Sequence, residues 1–329
     1  MSEVTPSTEA DTRSAHIVHR SDPPPPPLPD GLGDAPTRTP GCAPRAAGHV
    51  RAHGECPRLP RDRAVLIRLA RHRVLSLTQL HRLSFASLHR SRVSRRVSAL
   101  TLGGWVSTWD DPQCIGGRSR YIVPTAKGLR WALRHIEEAM RGATYARLLA
   151  TMLRRDGRCP LPLTAGIHPP WLGHLVEVNN TLATLQVTGT VVWSSSWNRP
   201  LPFVSHGVTL PQPDGVVVRR VADDHDELTF LEHDRGGESL RHFRARKVDC
   251  YRALSQRPAL LEELTGYRTF RVLVTVRAGD PDLNERRVED LQRCASAGLT
   301  RGLFTIVPAD LAWTAGDLLT NPGGMGHQV

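Results

Sequence analysis

Residues 210–252 read LPQPDGVVVRRVADDHDELTFLEHDRGGESLRHFRARKVDCYR. Gly215-Val216-Val217-Val218 is a β-branched run, and Leu228-Thr229-Phe230-Leu231 is a second apolar run; both patterns favour strands. Ala222-Asp223-Asp224-His225-Asp226 lies between them and is rich in residues that favour turns. A hairpin folded about Asp223 or Asp224 pairs positions whose numbers sum to about 446–448, which sets Asp214 opposite the stretch from Glu232 to Asp234. Glu232 and Asp234 are two apart on one strand and project from the same face. Three carboxylates then meet at one end of the hairpin. Such a cluster of oxygens suits a hard divalent cation, Mg²⁺ or Mn²⁺, held by Asp214, Glu232 and Asp234. Cations held in this way polarise a phosphodiester and activate a water. A basic helix from about residue 238 to 256 follows the hairpin.

Pro213-Asp214 followed by Glu232-His233-Asp234 resembles the Pro-Asp…Glu-x-Lys pattern of restriction-endonuclease-like nucleases. More narrowly, Gln212-Pro213-Asp214-Gly215 and residues 231–238, with Lys247 and Tyr251 downstream, resemble the replication-relaxation family. The resemblance spans about residues 61 to 310. It implies a protein of plasmids or other mobile elements that joins an amino-terminal winged helix to a nuclease-like domain.

The chain departs from the nuclease pattern two residues after Glu232, where Asp234 stands in place of lysine. A lysine there would orient water or stabilise developing negative charge. Only two of the 43 basic side chains are lysines, and one of them, Lys247, lies on the following helix, from which it would reach back into the site. The candidate catalytic set is therefore Asp214, Glu232, Asp234 and Lys247. The alternative for the same residues is an ordinary strand pair with exposed acids and a lysine on a solvated helical face.

Upstream, residues 61–141 read as a separate unit. Residues 64–70 suit a first helix. Ser76 is placed to cap a second helix carrying Leu77, Leu80 and Leu83, and Ser87 to cap a third with Val93, Val97 and Leu100 inward. Gly103-Gly104 ends the third helix. Trp105–Trp109 and Arg120–Val123 read as two strands around a Gly-rich turn, and Thr125 starts a closing helix. Three helices, a β-wing and a fourth helix predict a winged helix-turn-helix. Residues 61–140 carry 15 Lys and Arg against 5 Asp and Glu, nearly all of the chain's net charge of +11. Arg92, Arg95 and Arg96 share one face of the third helix, with Arg90 near its start. Such a helix enters the major groove of double-stranded DNA, and Arg118 and Arg120 on the wing would meet the neighbouring backbone. The alternative is a solvated basic face that binds a protein.

The fold class expected is α+β: an N-terminal winged helix-turn-helix followed by a restriction-endonuclease-like mixed α/β domain at 171–312. Residues 142–170, broken by glycine and proline, connect the two. In the second domain the expected order is α-β-β-β-α-β-α-β, with a helix from Trp171 to about Val187 and a strand at 191–193. His174 and Asn179 fall near the start of that helix, where relatives carry polar residues facing the cleft, and the alternative for His174 is a capping or surface histidine. Glu177 on the same helix is a further candidate carboxylate, or an ordinary helical acid, and Ser194–Ser196 occupy a strand end where relatives present an acid. Arg244 and Arg246 beside Lys247 are candidates for phosphate contact.

Residues 1–60 form a Pro- and Arg-rich tail with too few apolar groups to offset its ordering entropy, and residues 313–329 form a second tail. Cys42, His49, His53 and Cys56 within the first tail match no zinc-finger spacing and read as incidental. Six scattered cysteines without a Cys-x-x-Cys pair suit reduced thiols in the cytoplasm. The absence of an 18-residue apolar run argues against membrane spanning. A pI near 10.2 favours a polyanionic partner. Three functions fit these features: a DNA-binding protein of mobile-element replication or transfer that works with other proteins of that machinery, a metal-dependent endonuclease or nickase, and a transcriptional regulator whose second domain is not catalytic.

Overall fold

A computed structural model describes residues 60–85, 89–110, 120–139, 171–187, 191–196, 201–222, 225–296 and 302–310. The expected tail at 1–60 lies outside the described residues except for Pro60, which begins the first helix, and so do the tail at 313–329, the connecting stretch 142–170, Ser87, Arg118 and the Asp223-Asp224 turn. The fold is mixed α+β. No helix among the described residues is long and apolar enough to cross a membrane.

The first group of elements is α1 (Pro60–His72), β1 (Leu75–Ser76), α2 (Leu77–Phe85), α3 (Arg90–Leu102), β2 (Val106–Asp110), β3 (Arg120–Pro124) and α4 (Ala126–Ala139). Local chemistry sets most of its boundaries. Ser76 and Gln79 form a reciprocal capping box: the Gln79 N–H donates to Ser76 Oγ at 3.1 Å and the Ser76 N–H to Gln79 Oε1 at 2.7 Å. Helix α3 is capped by His89, whose side chain accepts from the Ser91 N–H, so the helix starts later than a Ser87 cap would place it. Val93, Val97 and Leu100 are buried along one stripe of α3.

Gly104, at φ 69°, closes α3 with the paired bonds of a Schellman turn, Trp105 N–H to Leu100 O and Gly104 N–H to Thr101 O, both 2.9 Å. The three strands form an antiparallel sheet in the order β1-β3-β2. Gly128 lets α4 settle onto the start of β2: a Cβ there would lie 2.1 Å from the Trp105 carbonyl oxygen.

The second group begins with α5 (Leu172–Val187), β4 (Val191–Ser195), β5 (Val204–Ser205), β6 (Val208–Thr209), β7 (Gly215–Ala222) and β8 (His225–Asp234). Helix α6 follows over residues 240–255, then α7 (Pro258–Thr265), β9 (Phe270–Val276), α8 (Pro281–Ser296) and β10 (Phe304–Pro308). The main sheet runs β10-β9-β8-β7-β4, antiparallel across β4-β7-β8 and parallel across β8-β9-β10. The β7–β8 register pairs Gly215 with Leu231 and Arg220 with Asp226, within the expected pairing. The β5–β6 hairpin and α7 are additions to the expected order.

Both faces of this sheet are covered, which explains the near-continuous apolar runs of its inner strands. Val217, Leu231, Leu273 and Val307 pack with Val178, Leu182 and Leu185 of α5. Val216, Val218, Phe230 and Val272 share the other core with Phe243, Tyr251, Leu261 and Leu291.

Helix α6 is not uniform. A π-helical turn, Arg244–Val248, separates Leu240–Phe243 from Asp249–Ser255. The wide turn explains why the buried positions Phe243 and Val248 are five apart, while Tyr251 and Leu254 follow at helical spacing. Such turns insert one residue and re-aim the side chains around them.

Candidate functional site

Hydrogen bonding places Asp214 at the end of the hairpin. Its N–H donates to Leu231 O at 2.9 Å, and its Oδ2 accepts from the His233 N–H at 2.8 Å. On β8, Glu232 points to α6 and is almost fully buried. Tyr251 donates its hydroxyl to Glu232 Oε1 at 2.6 Å, and Lys247 donates its ammonium to Oε2. Lys247 also donates to the Gln212 carbonyl at 3.3 Å. The π turn therefore places Lys247 and Tyr251, four residues apart, on the same carboxylate.

The opposite side of the site comes from α5. His174 Nε2 lies 3.1 Å from Asp214 Oδ1. Glu177 is 3.1 Å from both His233 Nε2 and Arg235 Nε, and 2.8 Å from Arg277 Nη1. Thr275 holds the other ring nitrogen of His233 at 2.8 Å. The two imidazoles, His174 and His233, stand 5.4 Å apart between centroids.

Electrostatics separates the two central acids. Burial acts to raise the Asp214 carboxyl, but the His174 bond and the Lys247 charge outweigh it and hold Asp214 below the usual aspartate range. Burial lifts Glu232 up to about 7, more than Lys247 and Tyr251 draw it back. Burial disfavours the charge on Lys247, yet Glu232 and Asp214 hold the ammonium above its ordinary pKa. His174 is raised because Asp214 prevails over burial, and Glu177 is lowered because His233, Arg235 and Arg277 prevail over burial. The result is one firmly ionised carboxylate, one carboxyl that titrates near neutrality and a fixed ammonium.

Of the four residues expected at the site, the structure brings together Asp214, Glu232 and Lys247. It does not bring Asp234 to them. Asp234 accepts from Arg287 Nε at 3.0 Å and Nη2 at 2.7 Å, and its other oxygen accepts from the Gly236 N–H at 2.5 Å. The same Arg287 Nη2 donates to Glu238 O at 2.5 Å. With both Arg287 nitrogens on one oxygen and the Gly236 N–H on the other, this carboxylate has little capacity left for a cation. Among the described residues no three His, Cys, Asp or Glu side chains gather as a metal-binding group.

Asn179 and Ser194–Ser196 also turn away from the site. Asn179, Ser195 and Ser196 bond instead to the end of α1 and to the Val74 carbonyl that follows it, the Ser194 carbonyl accepts from Arg71, and the Ser194 hydroxyl donates to Gln186 of α5.

On α3, Arg90, Arg92 and Arg95 are exposed. Arg96 departs from the expectation. Its guanidinium makes a two-pronged pair with Asp62 of α1, which is 1% exposed, so it ties two helices together rather than facing solvent with the others. Arg120 is half-buried on β3, and Arg118 lies outside the described residues. Arg244 and Arg246 are exposed on α6. Arg287 and Thr275, which sequence reasoning missed, come from α8 and β9, and no local pattern joins them to the hairpin.

No curated protein and no solved structure matches the chain. The sequence profile of the replication-relaxation family matches residues 66–262, from within α1 to within α7, and so includes α3, Asp214, Glu232 and Lys247. With that match over more than half its length, the chain belongs to the replication-relaxation family.

Proposed function

We propose that this protein binds duplex DNA in the replication or transfer of a plasmid or other mobile element. Residues 60–139 act as a winged helix-turn-helix, and the five-stranded sheet as a restriction-endonuclease-like domain. The observation that carries this reading is the order α1-β1-α2-α3-β2-β3-α4, with β1-β3-β2 pairing and exposed arginines along α3. In that arrangement α3 lies in the major groove and the β2–β3 wing lies beside the backbone. The family supports a replication role. The test is a mobility-shift assay with duplex from the element's origin. Arg92→Glu with Arg95→Glu should weaken binding at least tenfold, and unchanged binding rejects α3 as the reader.

A second reading, a metal-dependent endonuclease, is favoured by the convergence of Asp214, Glu232 and Lys247. Asp214 and Glu232 would be the oxygen ligands of one divalent cation, with Glu232 releasing the Lys247 ammonium to bind it; Asp234, closed by Arg287, does not fit as a third. Bound there, Mg²⁺ or Mn²⁺ would polarise a phosphodiester and activate a water. Lys247 would stay protonated and stabilise negative charge developing on the phosphate, the part a lysine at position 234 would have taken. His174 would hold Asp214 in orientation. Nicking of supercoiled plasmid with Mg²⁺ or Mn²⁺, lost in Asp214→Ala, is the expected result. Absence of nicking with both cations leaves the sheet as a docking platform for other replication or transfer proteins.

A further inference from the structure

The end of α1 is capped by side chains from the second group of elements. The last carbonyls of a helix have no partner within it. Here the Arg71 carbonyl accepts from Ser195 Oγ at 2.8 Å and from the Ser196 N–H at 3.2 Å. The His72 carbonyl accepts from Ser196 Oγ and Asn179 Nδ2, each at 3.1 Å, and Asn179 Nδ2 also reaches Val74 O at 2.6 Å. In return, Arg71 Nε donates to Ser194 O at 2.8 Å, and its guanidinium lies over the Trp193 ring. Gln79 of α2 donates to Val176 O at 2.9 Å and to Asn180 at 2.8 Å. Val74, Tyr121 and Val123 pack with Leu172 and Leu175 around these bonds.

His72, Gln79, Asn179 and Ser194–Ser196 are all buried. Sliding one group over the other would break these bonds between buried donors and acceptors, a cost that favours one geometry for the contact. The described residues accordingly all belong to one compact unit.

The elements that make this joint also carry the two functional faces. Helix α5 presents Asn179 to α1 and, five residues earlier, His174 to Asp214. Strand β4 holds Ser195 against α1 and pairs it with Val216, two residues from Asp214. On the other side, the Arg96–Asp62 pair ties α3 to α1.

We propose that this buried polar joint fixes the position of the Asp214–Glu232 site relative to α3, so that the site meets DNA at one offset from the sequence α3 binds. The proposal rests on the duplex-binding reading above. Two readouts on the full chain separate its failure from the failure of that reading.

The first needs no DNA. With the six native cysteines replaced by serine, spin labels are attached through Ser98→Cys on α3 and Gly237→Cys beside the site, where an added side chain meets nothing within 4 Å. A single narrow distance distribution is expected. It should broaden at least twofold in Asn179→Ala or, should that variant not fold, in Ser195→Ala with Ser196→Ala. A broad distribution in the joint-intact chain, or no broadening in folded variants, overturns the fixed joint.

In the second readout, an iron chelate on the Gly237→Cys thiol alone cuts bound origin duplex. Cuts confined to one cluster at a constant distance from the footprint support the proposal, and cuts scattered over a helical turn overturn it. A narrow distance distribution with no footprint overturns the offset through the loss of the DNA reading, with the joint itself intact.

Discussion

Glu232 ties folding to pH at the candidate site. Its carboxyl titrates near 7 in the folded chain, against an ordinary glutamate value of 4.5, because it is buried. Between those values the folded state holds more protons than the unfolded state, so rising pH favours unfolding. This contribution is fully present below about pH 4.5 and is lost as pH rises through 7. The shift corresponds to about 3 kcal/mol.

Other groups shape the same range. His174, raised, loses its contribution as pH climbs past its folded pKa, whereas His72, buried and held neutral, gains stability as pH approaches 6.5. Asp214 and Glu177, both lowered, lose theirs only in stronger acid. Glu232→Gln removes this carboxyl and, with it, the counter-charge that holds Lys247 up. Urea unfolding between pH 4.5 and 7.5 should show the unmodified chain losing about 3 kcal/mol relative to the variant. Parallel curves for the two proteins would remove Glu232 as the titrating group.

At the scale of elements, α3 divides its arginines between two tasks. Arg96 neutralises Asp62 beneath it, and Arg92 and Arg95 face outward. Asp62 is buried while Arg96 is a third exposed, so Arg96→Ala leaves one buried carboxylate without its partner and should cost about 2 kcal/mol in thermal or urea unfolding. Arg92→Ala and Arg95→Ala should stay within about 0.5 kcal/mol while weakening DNA binding. Equal effects of all three on stability would mean that α3 has no such division.

The helical wheel puts Arg92, Arg95 and Arg96 on one face and cannot show which of them meets an acid 34 positions earlier. Local chemistry was legible: the Ser76 cap, the α3 stripe, the glycine end of α3 and the register of β7 with β8 all follow from neighbours in sequence. Asp214, Glu232 and Lys247 were legible for the same reason, since a hairpin and the next helix hold all three. Asp234 was not, because Arg287 reaches it from 53 residues away. One overlooked signal was present: the five-residue step between Phe243 and Val248 marks the π turn that aims Lys247.

At the scale of the whole molecule, charge governs how the chain meets a polyanion. The net charge is +11, concentrated in the first group of elements. Each phosphate neutralised by a basic side chain releases counterions, so log K should fall with log salt at about 0.9 per contact. Arg92→Ala and Arg95→Ala should each lower that slope by about 1. The second group adds exposed Arg244 and Arg246 on α6, the helix whose Lys247 reaches Glu232. If DNA held by α3 continues past the site, these arginines meet phosphate only when the duplex is long enough. Arg244→Ala with Arg246→Ala should then lower the slope by about 2 on a duplex of roughly 30 base pairs, and leave it unchanged on one of roughly 12 that fills α3 alone. Binding titrations across 50–200 mM salt on both lengths, a range over which about six phosphate contacts would shift affinity a thousandfold, give a slope accurate enough to decide. An equal loss on both lengths would place α6 beside α3 on the same short site, and no loss on either would take the path of the DNA away from Asp214 and Glu232.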